Sequence, residues 1–325
     1  MNIDEWYQKN TFHYLQFDVR QLVKIKNKKN LKISLCLPTL NESQTIEYIL
    51  RTTKKELYQE GLLDEVIVID SGSTDSTLDI VKSIGFKIIR HKDILKKYGT
   101  NQGKGEALWK SLHVLNGDII AWCDSDIKNF HSKIIYGILG PLIMYDEILL
   151  VKAFYRRPLK IDGSYMKSEG GRVTEILVRP ILNLFYPELS RILQPLAGEY
   201  AARREILEQI PFFTGYGVET GMLIDVYEKF GLDKIGQVNV IRRIHKNQPL
   251  SALSKMAFGI LQAVLEKLQH YNKIIIVKEL NKMFNQIDYF KKEYFISQIK
   301  LEEKERPPMA EIEEYMKRKY NSRYA

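Results

Sequence analysis

The triplet Asp124-Ser125-Asp126 is the sharpest chemical feature of the sequence, and it directly follows an apolar run that ends at Cys123. In an extended segment, residues two apart point the same way and lie about 7 Å apart, so both carboxylates can converge on one cation where the chain turns. A capping aspartate followed by a surface aspartate would give the same letters. Two carboxylates at an exposed strand end repel each other unless they are neutralised. We therefore predict a site for Mg²⁺ or Mn²⁺, which would act as a Lewis acid toward a departing nucleoside diphosphate.

The glycine-rich segment from Gly99 to Gly105 contains Lys104. It is not a P-loop, because its spacing is one residue short and Gly105 stands where a serine or threonine would hold Mg²⁺. Glycines beside a lysine at a helix N-terminus can let the backbone and the ammonium group approach an anion. A flexible turn with a surface lysine fits the segment equally well. Asp70, at the end of another apolar run, is either a helix-cap residue or an acceptor for a base N–H.

Four arginines follow the strand predicted at 149–155: Arg156, Arg157, Arg172 and Arg179. Arg172 follows a double glycine and opens a predicted helix. Its guanidinium, a nearby hydroxyl and the helix N–H groups together suit a phosphate or a carboxylate. Solvated surface arginines are the plainer interpretation, but the double glycine, which lets a ligand approach the backbone, favours a binding site.

His245 lies in the basic segment Arg242–Asn247. Basic neighbours keep an imidazole neutral, which is the form that coordinates a metal. A single histidine is more often structural, and spacing alone does not assign His245 as a ligand. The other histidines are interpreted as structural: His13, His91, His113, His131 and His270.

Apolar runs that alternate with amphipathic segments must position these side chains. Strands are predicted over 33–37, 65–70, 86–90, 118–123, 149–155 and 235–241. Strands that are apolar on both faces and separated by helices indicate an α/β fold, with a mostly parallel, Rossmann-like sheet covered on both sides. Ligands bind such sheets beyond the carboxyl ends of the strands. Polar residues follow three of the strands, at 38–42, 70–73 and 124–126.

The composition is that of a globular domain, with 45% hydrophobic and 27% charged residues among 325. A net charge of +9 suits anionic partners, but no nucleic-acid-binding signature accompanies it. No apolar run approaches the roughly 20 residues that a membrane span needs, and no signal peptide is evident. The two cysteines lie in apolar runs, which is consistent with core positions in a reducing cytosol. We predict a cytoplasmic protein with no membrane or nucleic-acid partner.

We predict four regions along the chain: an N-terminal arm (1–30), a nucleotide-sugar-binding domain (31–155), an acceptor-binding region (156–250) and a helical C-terminal region (251–325). Apolar residues recur at helical spacing over 257–268 and again over 276–284. A stripe of this kind at the end of a complete sheet is either core or a contact with a second subunit. We expect a homodimer.

Several motifs resemble those of the glucosyl-3-phosphoglycerate synthases, retaining glycosyltransferases of GT-A type fold that are related to mannosyl-3-phosphoglycerate synthases. The motifs are LPTLNE (37–42), VIDSGSTD (68–75), GKGEAL (103–108), CDSDI (123–127), GGRVTE (170–175), PLAGEYA (195–201), GYGVE (215–219) and RRIHKN (242–247). They follow one another in order over about two thirds of the chain. A single motif would be weak evidence, whereas this ordered series is specific.

The resemblance implies a role for each matching residue. The implied donor-binding residues are Pro38, Thr39, Leu40, Glu42, Asp70, Ser71, Lys104, Asp124, Ser125, Tyr216, Glu219 and Arg243. The implied metal ligands are Asp126 and His245, and the implied acceptor-binding residues are Gly171, Arg172, Thr174 and Asn247. Catalytic roles are implied for Asp126, Lys104, Glu219 and Arg243. Thr39 stands where a smaller alanine is common, which would bear on nucleotide choice.

The resemblance implies transfer of glucose from a nucleotide donor, with UDP-glucose favoured, to the 2-hydroxyl of 3-phosphoglycerate. The anomeric configuration would be retained. No carboxylate stands out as a nucleophile, so same-face attack guided by the leaving diphosphate is favoured. The alternatives are a GDP-mannose-dependent mannosyltransferase on 3-phosphoglycerate or glucosyl-3-phosphoglycerate, a polyprenyl-phosphate glycosyltransferase, and a non-catalytic nucleotide-sugar-binding module. A polyprenyl-phosphate enzyme would need a membrane helix or an amphipathic basic anchor.

Overall fold

The computed structural model describes residues 3–156, 159–161, 164–166, 171–244 and 248–323. The strands are β1 Thr11–His13, β2 Ile33–Thr39, β3 Glu65–Asp70, β4 Lys87–Arg90, β5 Ile119–Trp122, β6 Leu150–Arg156, β7 Leu159–Ile161, β8 Ser164–Met166, β9 Tyr200–Arg203, β10 Phe212–Phe213, β11 Ile235–Arg242, β12 Met283–Phe290, β13 Glu293–Lys300 and β14 Glu305–Arg306. The α-helices are α1 Ile3–Asn10, α2 Val19–Lys28, α3 Ile46–Thr53, α4 Thr77–Ile84, α5 Lys104–Val114, α6 Lys133–Met144, α7 Arg179–Phe185, α8 Arg204–Leu207, α9 Val218–Phe230, α10 Leu250–His270 and α11 Glu313–Arg323.

Within the described residues, eight strands form one sheet in the order β1-β11-β6-β9-β5-β2-β3-β4. All neighbours are parallel except β9, which runs antiparallel to both β5 and β6. Successive residues of β3 face opposite sides: Val66 and Val68 join one hydrophobic cluster, and Ile67 and Ile69 join the other. The sheet is therefore covered on both faces, and the predicted mostly parallel α/β fold is confirmed.

The sheet does not end at residue 155, where the nucleotide-binding domain was predicted to end. Strands β9 and β11 belong to the same sheet, and β9 lies between β5 and β6. This arrangement brings the segment before β9 and the segment after β11 to the side of the loop that follows β5. Residues far apart in sequence therefore meet at one edge.

The N-terminal residues are part of the fold rather than a loose arm. Strand β1 pairs with β11 at the edge of the sheet, with Phe12 opposite Val238. The side chain of Trp6 is fully buried, and its indole N–H donates a hydrogen bond to the carbonyl oxygen of Ile235 at 3.0 Å. The amide of Asn10 donates to the same carbonyl at 2.9 Å.

The prediction of a helical C-terminal region is only partly correct. Helix α10 and helix α11 are present, but β12 and β13 between them form an antiparallel hairpin. Helix α10 ends at His270, and Asn272 has φ 58°, which turns the chain away from the helix. Residues 276–282, where the apolar spacing predicted a helix, are neither helix nor strand. The hairpin begins at Met283, and aromatic and β-branched residues over 283–299 favour its strands. Within the described residues, every helix is too short or too polar to cross a lipid bilayer.

Replacing Trp6 with alanine tests whether the N-terminal helix is integral to the core. The change removes a fully buried aromatic side chain and its hydrogen bond, so we expect a loss of about 3–5 kcal/mol of unfolding free energy. The neighbouring Tyr7→Ala is the control, because Tyr7 is 39% exposed and should lose much less. Urea denaturation of both variants measures the difference, and similar losses would contradict this view of the N-terminus.

Candidate active site

The loop after β5 is held against the end of β2 by buried hydroxyl groups. The Thr39 hydroxyl lies 2.9 Å from the Ser125 hydroxyl, which also donates to the Pro38 carbonyl at 3.0 Å. Both hydroxyl-bearing side chains are almost completely buried. Thr39 and Ser125 therefore fix the position of the two flanking aspartates. Neither hydroxyl is displayed on the surface.

Asp124 lies between two cationic side chains. Its carboxylate is 2.5 Å from the Lys104 ammonium group and 3.0 Å from the Arg243 guanidinium. Burial alone would raise the pKa of Asp124, but these two cations hold it well below its ordinary value. The Lys104 ammonium group is also 2.7 Å from Glu219, and Asp124 and Glu219 outweigh burial to raise the pKa of Lys104. Sequence elements around residues 104, 124, 219 and 243 are thus brought into one ion-pair network.

Arg243 joins both aspartates of the triplet. Its guanidinium is 2.6 Å from Asp126 as well as 3.0 Å from Asp124. On its other side it contacts Glu199 at 2.8 Å and donates to the Tyr155 hydroxyl at 2.9 Å. The Tyr155 hydroxyl in turn donates to Glu199 at 2.6 Å. This buried cluster orients the guanidinium toward the triplet.

Glu199 and Tyr155 were missed by sequence reasoning as site residues. Glu199 lies in the motif PLAGEYA and is fully buried, and burial raises its pKa despite the neighbouring Arg243. An acidic residue between small apolar residues at the start of a strand is a usable sequence signal, because a buried carboxylate needs a partner. Tyr155 offered no comparable signal, since a tyrosine at the end of a strand is ordinary.

The glycines on either side of Lys104 allow a close backbone contact that neither sequence interpretation predicted. A Cβ atom on Gly105 would lie 1.8 Å from the Phe213 carbonyl oxygen, and one on Gly103 would lie 2.4 Å from the Thr214 carbonyl oxygen. The two glycines therefore let the N-terminus of α5 approach the backbone that leads into α9. That close approach brings Lys104 and Glu219, near the starts of the two helices, within contact distance.

Asp70 caps the turn that follows β3. Its carboxylate accepts hydrogen bonds from the backbone N–H groups of Gly72 and Ser73, each at 3.0 Å, and the residue is fully buried. This geometry supports the capping interpretation, although the cap is that of a turn and not of helix α4. Ser71 lies at the same edge of the sheet, and its backbone N–H donates a hydrogen bond to the Thr39 carbonyl oxygen at 2.9 Å. Leu40 and Tyr216 are each about half exposed, at 52% and 51%.

The site carries a surplus of negative charge among the described residues. Its carboxylates are those of Glu42, Asp124, Asp126, Glu199 and Glu219, and its cations are Lys104, Lys152 and Arg243. Burial, followed by the charge of Asp126, raises the pKa of Glu42 to about 7. Burial also lowers the pKa of Lys152 to about 8. Burial is the larger cause of both shifts, and the nearby carboxylates add to the rise for Glu42 but oppose the fall for Lys152.

A divalent cation fits this donor set. The Asp126 side chain is 34% exposed, so its carboxylate is open to solvent beside the excess of acid. No three His, Cys, Asp or Glu side chains of the described part of the chain form a complete metal-binding group. Mg²⁺ commonly takes one or two carboxylates and completes its shell with water and substrate phosphates. The exposed carboxylate suits that mode of binding.

A second group of predicted residues lies at the start of the helical segment that opens at Arg172. Gly171 has φ 95° and open space where a side chain would be, whereas Thr174 is buried. The Arg172 guanidinium donates to the carbonyl oxygen of Gln248 at 3.0 Å. Because Gln248 is only five positions after Arg243, these two backbone positions lie within roughly 18 Å of each other. His245 and Asn247, which fall in this connection, lie outside the described residues.

Arg179 belongs to the structure of this segment. Its guanidinium pairs with Glu175 at 2.7 Å and donates to the carbonyl oxygens of Ser190 and Leu193 at 2.8 and 2.9 Å. Arg156 is exposed, and its carbonyl oxygen accepts a hydrogen bond from the backbone N–H of Arg243 at 3.2 Å. Arg157 lies outside the described residues. Arg172 is therefore the arginine of this group with a position suited to a ligand.

The chain is similar to known glycosyltransferases. Residues 34–135 match the family described as glycosyl transferase family 2. A glucosyl-3-phosphoglycerate synthase of Petrotoga mobilis is 50% identical over 309 residues, which cover 94% of this chain and 95% of that protein.

Two solved structures are similar over nearly the whole chain. The mannosyl-3-phosphoglycerate synthase of Rubrobacter xylanophilus has a TM-score of 0.88 at 34% identity, covering 95% of this chain and 99% of the other. The glucosyl-3-phosphoglycerate synthase of Mycobacterium tuberculosis, in complex with Mn²⁺, UDP and phosphoglyceric acid, has a TM-score of 0.81 at 37% identity, covering 92% and 97%. Other structures of that protein contain UDP-glucose or Mg²⁺.

Replacing Asp126 with asparagine tests the origin of the negative potential in the metal-free protein. We expect the pKa of Glu42, about 7 in the unsubstituted chain, to fall, because one adjacent negative charge is removed. Burial remains, so the value should stay above the ordinary one. The measurement is a ¹³C NMR titration of glutamate-labelled protein, with Glu42→Gln to assign the signal.

The control for this titration is Asp93→Asn, which removes a surface carboxylate that is paired with Lys96 and should leave the Glu42 signal unchanged.

Because folding raises the pKa of Glu42, the stabilising effect of its protonated form is complete below about 4.5 and is lost as pH rises toward 7. A Glu42 signal that titrates at its ordinary value would show that the charges at this edge are already compensated.

Proposed function

The chain belongs to the glucosyl-3-phosphoglycerate synthases, and on this premise we propose that it transfers glucose from UDP-glucose to the 2-hydroxyl of 3-phosphoglycerate with retention of configuration. It is a glycosyltransferase of GT-A type fold. The observation that carries the proposal is the ion-pair network at the sheet edge, in which Asp124 and Asp126 meet Lys104 and Arg243. At this edge, carboxylates that can bind a divalent cation lie beside ammonium and guanidinium groups that can bind a diphosphate.

The donor is proposed to bind across the ends of β2, β3 and β5. Residues Pro38 to Glu42 and Ser71 border the nucleotide, while Asp124 and Ser125 lie beside the ribose. Lys104 and Arg243 approach the diphosphate, and Tyr216 and Glu219 line the sugar. Asp126 would hold Mg²⁺ or Mn²⁺ together with His245 and the diphosphate, and the bound ion would withdraw charge from the leaving group.

The acceptor is proposed to bind in the acceptor-binding region, at the start of the helical segment that opens at Arg172. Gly171 lets the acceptor phosphate approach the backbone, because it has no side chain and no other atom lies within 4 Å of the Cβ position; its φ of 95° favours glycine there. Arg172 and Thr174 bind that phosphate, and Asn247 lies near the carboxylate. A guanidinium and helix N–H groups form a strong phosphate site.

The chain's own residues favour attack on the same face as the leaving group. Glu219 is 2.7 Å from Lys104, and Asp124 is paired with two cations, so neither is a free nucleophile. The bond from the anomeric carbon to the UDP oxygen breaks as the bond to the acceptor oxygen forms. The acceptor proton passes to an oxygen of the departing phosphate. Lys104 and Arg243 stabilise the charge on that phosphate, and Glu219 orients Lys104.

A donor-by-acceptor assay tests the proposal. Purified protein is incubated with UDP-, ADP- and GDP-glucose and GDP-mannose, each with 3-phosphoglycerate or glucosyl-3-phosphoglycerate, with Mg²⁺, Mn²⁺ or EDTA. We expect the highest rate with UDP-glucose, 3-phosphoglycerate and metal, and an α-linked product by NMR. Exclusive use of GDP-mannose would favour the mannosyltransferase alternative, which the similarity to the Rubrobacter structure supports at the level of fold.

The same assay with Arg172→Lys tests the acceptor site. Lysine keeps the charge but loses the two-pronged geometry, so we expect the KM for 3-phosphoglycerate to rise by about tenfold or more. The KM for UDP-glucose should be unchanged. The matched control is Arg191→Lys, because Arg191 is a partly exposed arginine that pairs with Asp4 at 3.7 Å. An equal effect of both substitutions would exclude Arg172 from the acceptor site.

We also propose a homodimer that forms through the β12–β13 hairpin. One face of the hairpin exposes the cross-strand pairs Ile287–Ile296 and Tyr289–Tyr294, and the other face exposes Phe290 and Phe295. A contiguous exposed patch of this kind is typical of an interaction surface. We place the enzyme in the cytosol, because both cysteines are free thiols, as is usual in a reducing compartment.

Sedimentation velocity tests the dimer. We expect the unsubstituted protein to sediment as a dimer and the double variant Ile287→Lys, Ile296→Lys to sediment as a monomer, since these two residues are cross-strand neighbours. Leu15→Lys is the control, because Leu15 is 72% exposed and lies elsewhere on the chain. A double variant that remains dimeric would place the interface on another surface.

A further inference from the structure

We infer that the segment from Glu303 to Arg306, called here the C-terminal strap, is a positioning element for the donor half of the active site. The strap lies far along the chain from Lys104 and Glu219. It nevertheless contacts the N-terminal turns of both helices that carry them. The inference rests on the proposed function, since it concerns how that site is held together.

Glu303 caps the loop that leads into α9. Its carboxylate accepts hydrogen bonds from the backbone N–H groups of Gly215 and Tyr216, each at 2.9 Å. An anion in this position is favoured by the unpaired N–H groups and the positive end of the helix dipole. Glu219 is the second residue of the same helix. Glu303 therefore fixes the turn from which Glu219 extends.

The loop is shaped to receive this carboxylate. A Cβ atom on Gly215 would lie 2.3 Å from an oxygen of Glu303, and one on Gly259 of α10 would lie 2.7 Å from the same oxygen. Glycine at both positions leaves the space that the carboxylate fills. The contact therefore depends both on the carboxylate of the strap and on the two glycines that leave room for it.

Arg306 holds the first turn of α5 in a similar way. Its guanidinium makes two hydrogen bonds to the carboxylate of Glu106, each at 2.8 Å, and a third to the Tyr98 carbonyl at 2.8 Å. Glu106 is fully buried, so the pair is well shielded from water. Lys104 lies two residues before Glu106 on this helix.

Backbone hydrogen bonds tie the two contacts together. Strand β14 pairs with β10, and the N–H of Thr214 donates to the Lys304 carbonyl at 2.8 Å. The Thr214 carbonyl accepts from the N–H of Glu106 at 2.9 Å. The strap, the loop before α9 and the start of α5 therefore form one hydrogen-bonded unit, which fixes the separation of Lys104 from Glu219.

The strap is expected to act on the donor and not on the acceptor. Lys104 and Glu219 face the proposed donor site, whereas Arg172 is held by Gln248 on a different segment. Loss of a strap contact should therefore change donor binding and catalysis together. A purely structural role would lower the amount of active protein and leave both KM values unchanged.

The test compares Glu303→Gln with Glu302→Gln in the full chain. Glutamine at 303 removes the charge and one acceptor oxygen, so we expect the KM for UDP-glucose to rise by about tenfold while the KM for 3-phosphoglycerate stays constant. Glu302 is the matched control, because it pairs with Lys282 and Lys300 of the hairpin region. Equal KM values for UDP-glucose in both variants would overturn the inference.

A second variant addresses the same contact from the loop. Gly215→Ala should displace the flexible Glu303 side chain, and we expect it to raise the KM for UDP-glucose as Glu303→Gln does. The double variant should be no worse than either single variant, because both changes break one contact. Additive effects would show that Glu303 does not act through this loop.

Calorimetric binding of UDP with Mg²⁺ separates the two proposals. If the unsubstituted protein binds UDP but transfers no glucose, the proposed function fails while the strap can still be measured through the UDP Kd. We expect that Kd to rise about tenfold in Glu303→Gln and to stay unchanged in Glu302→Gln. An unchanged Kd and KM in Glu303→Gln, with normal turnover by the parent, would reject the strap alone.

Discussion

The contact on which the active edge depends is the buried guanidinium of Arg243, which joins three carboxylates from two separate segments. Asp124 and Asp126 come from the loop after β5, and Glu199 comes from the segment before β9. Buried charges are costly unless each has a partner, and removing one partner leaves the others uncompensated. The acids and bases of this edge are therefore interdependent. The position of the antiparallel strand β9, inserted between β5 and β6, is what brings Glu199 into the group.

Lys104, at the start of helix α5, also depends on carboxylate partners from other elements. A lysine in the first turn of a helix faces the positive end of the helix dipole, which is unfavourable. The carboxylates of Asp124 and Glu219, at 2.5 and 2.7 Å, offset that effect. This arrangement requires the starts of α5 and α9 to lie very close together. Gly103 and Gly105 permit that approach because any side chain there would meet the backbone of 213–214.

The excess of carboxylates at this edge of the sheet relates the fold to the binding of charged ligands. A site with this charge attracts a divalent cation, and a bound cation with Lys104 and Arg243 then attracts a diphosphate. The raised pKa of Glu42 follows first from burial and second from the charge of Asp126, which is consistent with an excess of carboxylates at this edge. In the proposed function the acceptor is bound by a different segment, so separate parts of the fold would hold the two substrates.

The sequence by itself determined the α/β class, most of the strands and the polar strand ends, because apolar runs and turn residues act locally. It also indicated Asp124, Asp126, Lys104 and Arg172 as residues of interest, since ligands of such folds bind beyond the carboxyl ends of the strands and at helix N-termini. It did not determine which charges pair. Glu199, Tyr155 and the strap lie far from the triplet along the chain, and only the folded arrangement reveals their contacts. The apolar spacing at 276–284 indicated a helix, whereas residues 276–282 are irregular and a hairpin begins at Met283, because a periodicity of apolar residues does not specify what they pack against. Local order follows from neighbouring residues, whereas ion-pair partners and close helix contacts follow from distances that only the tertiary structure sets.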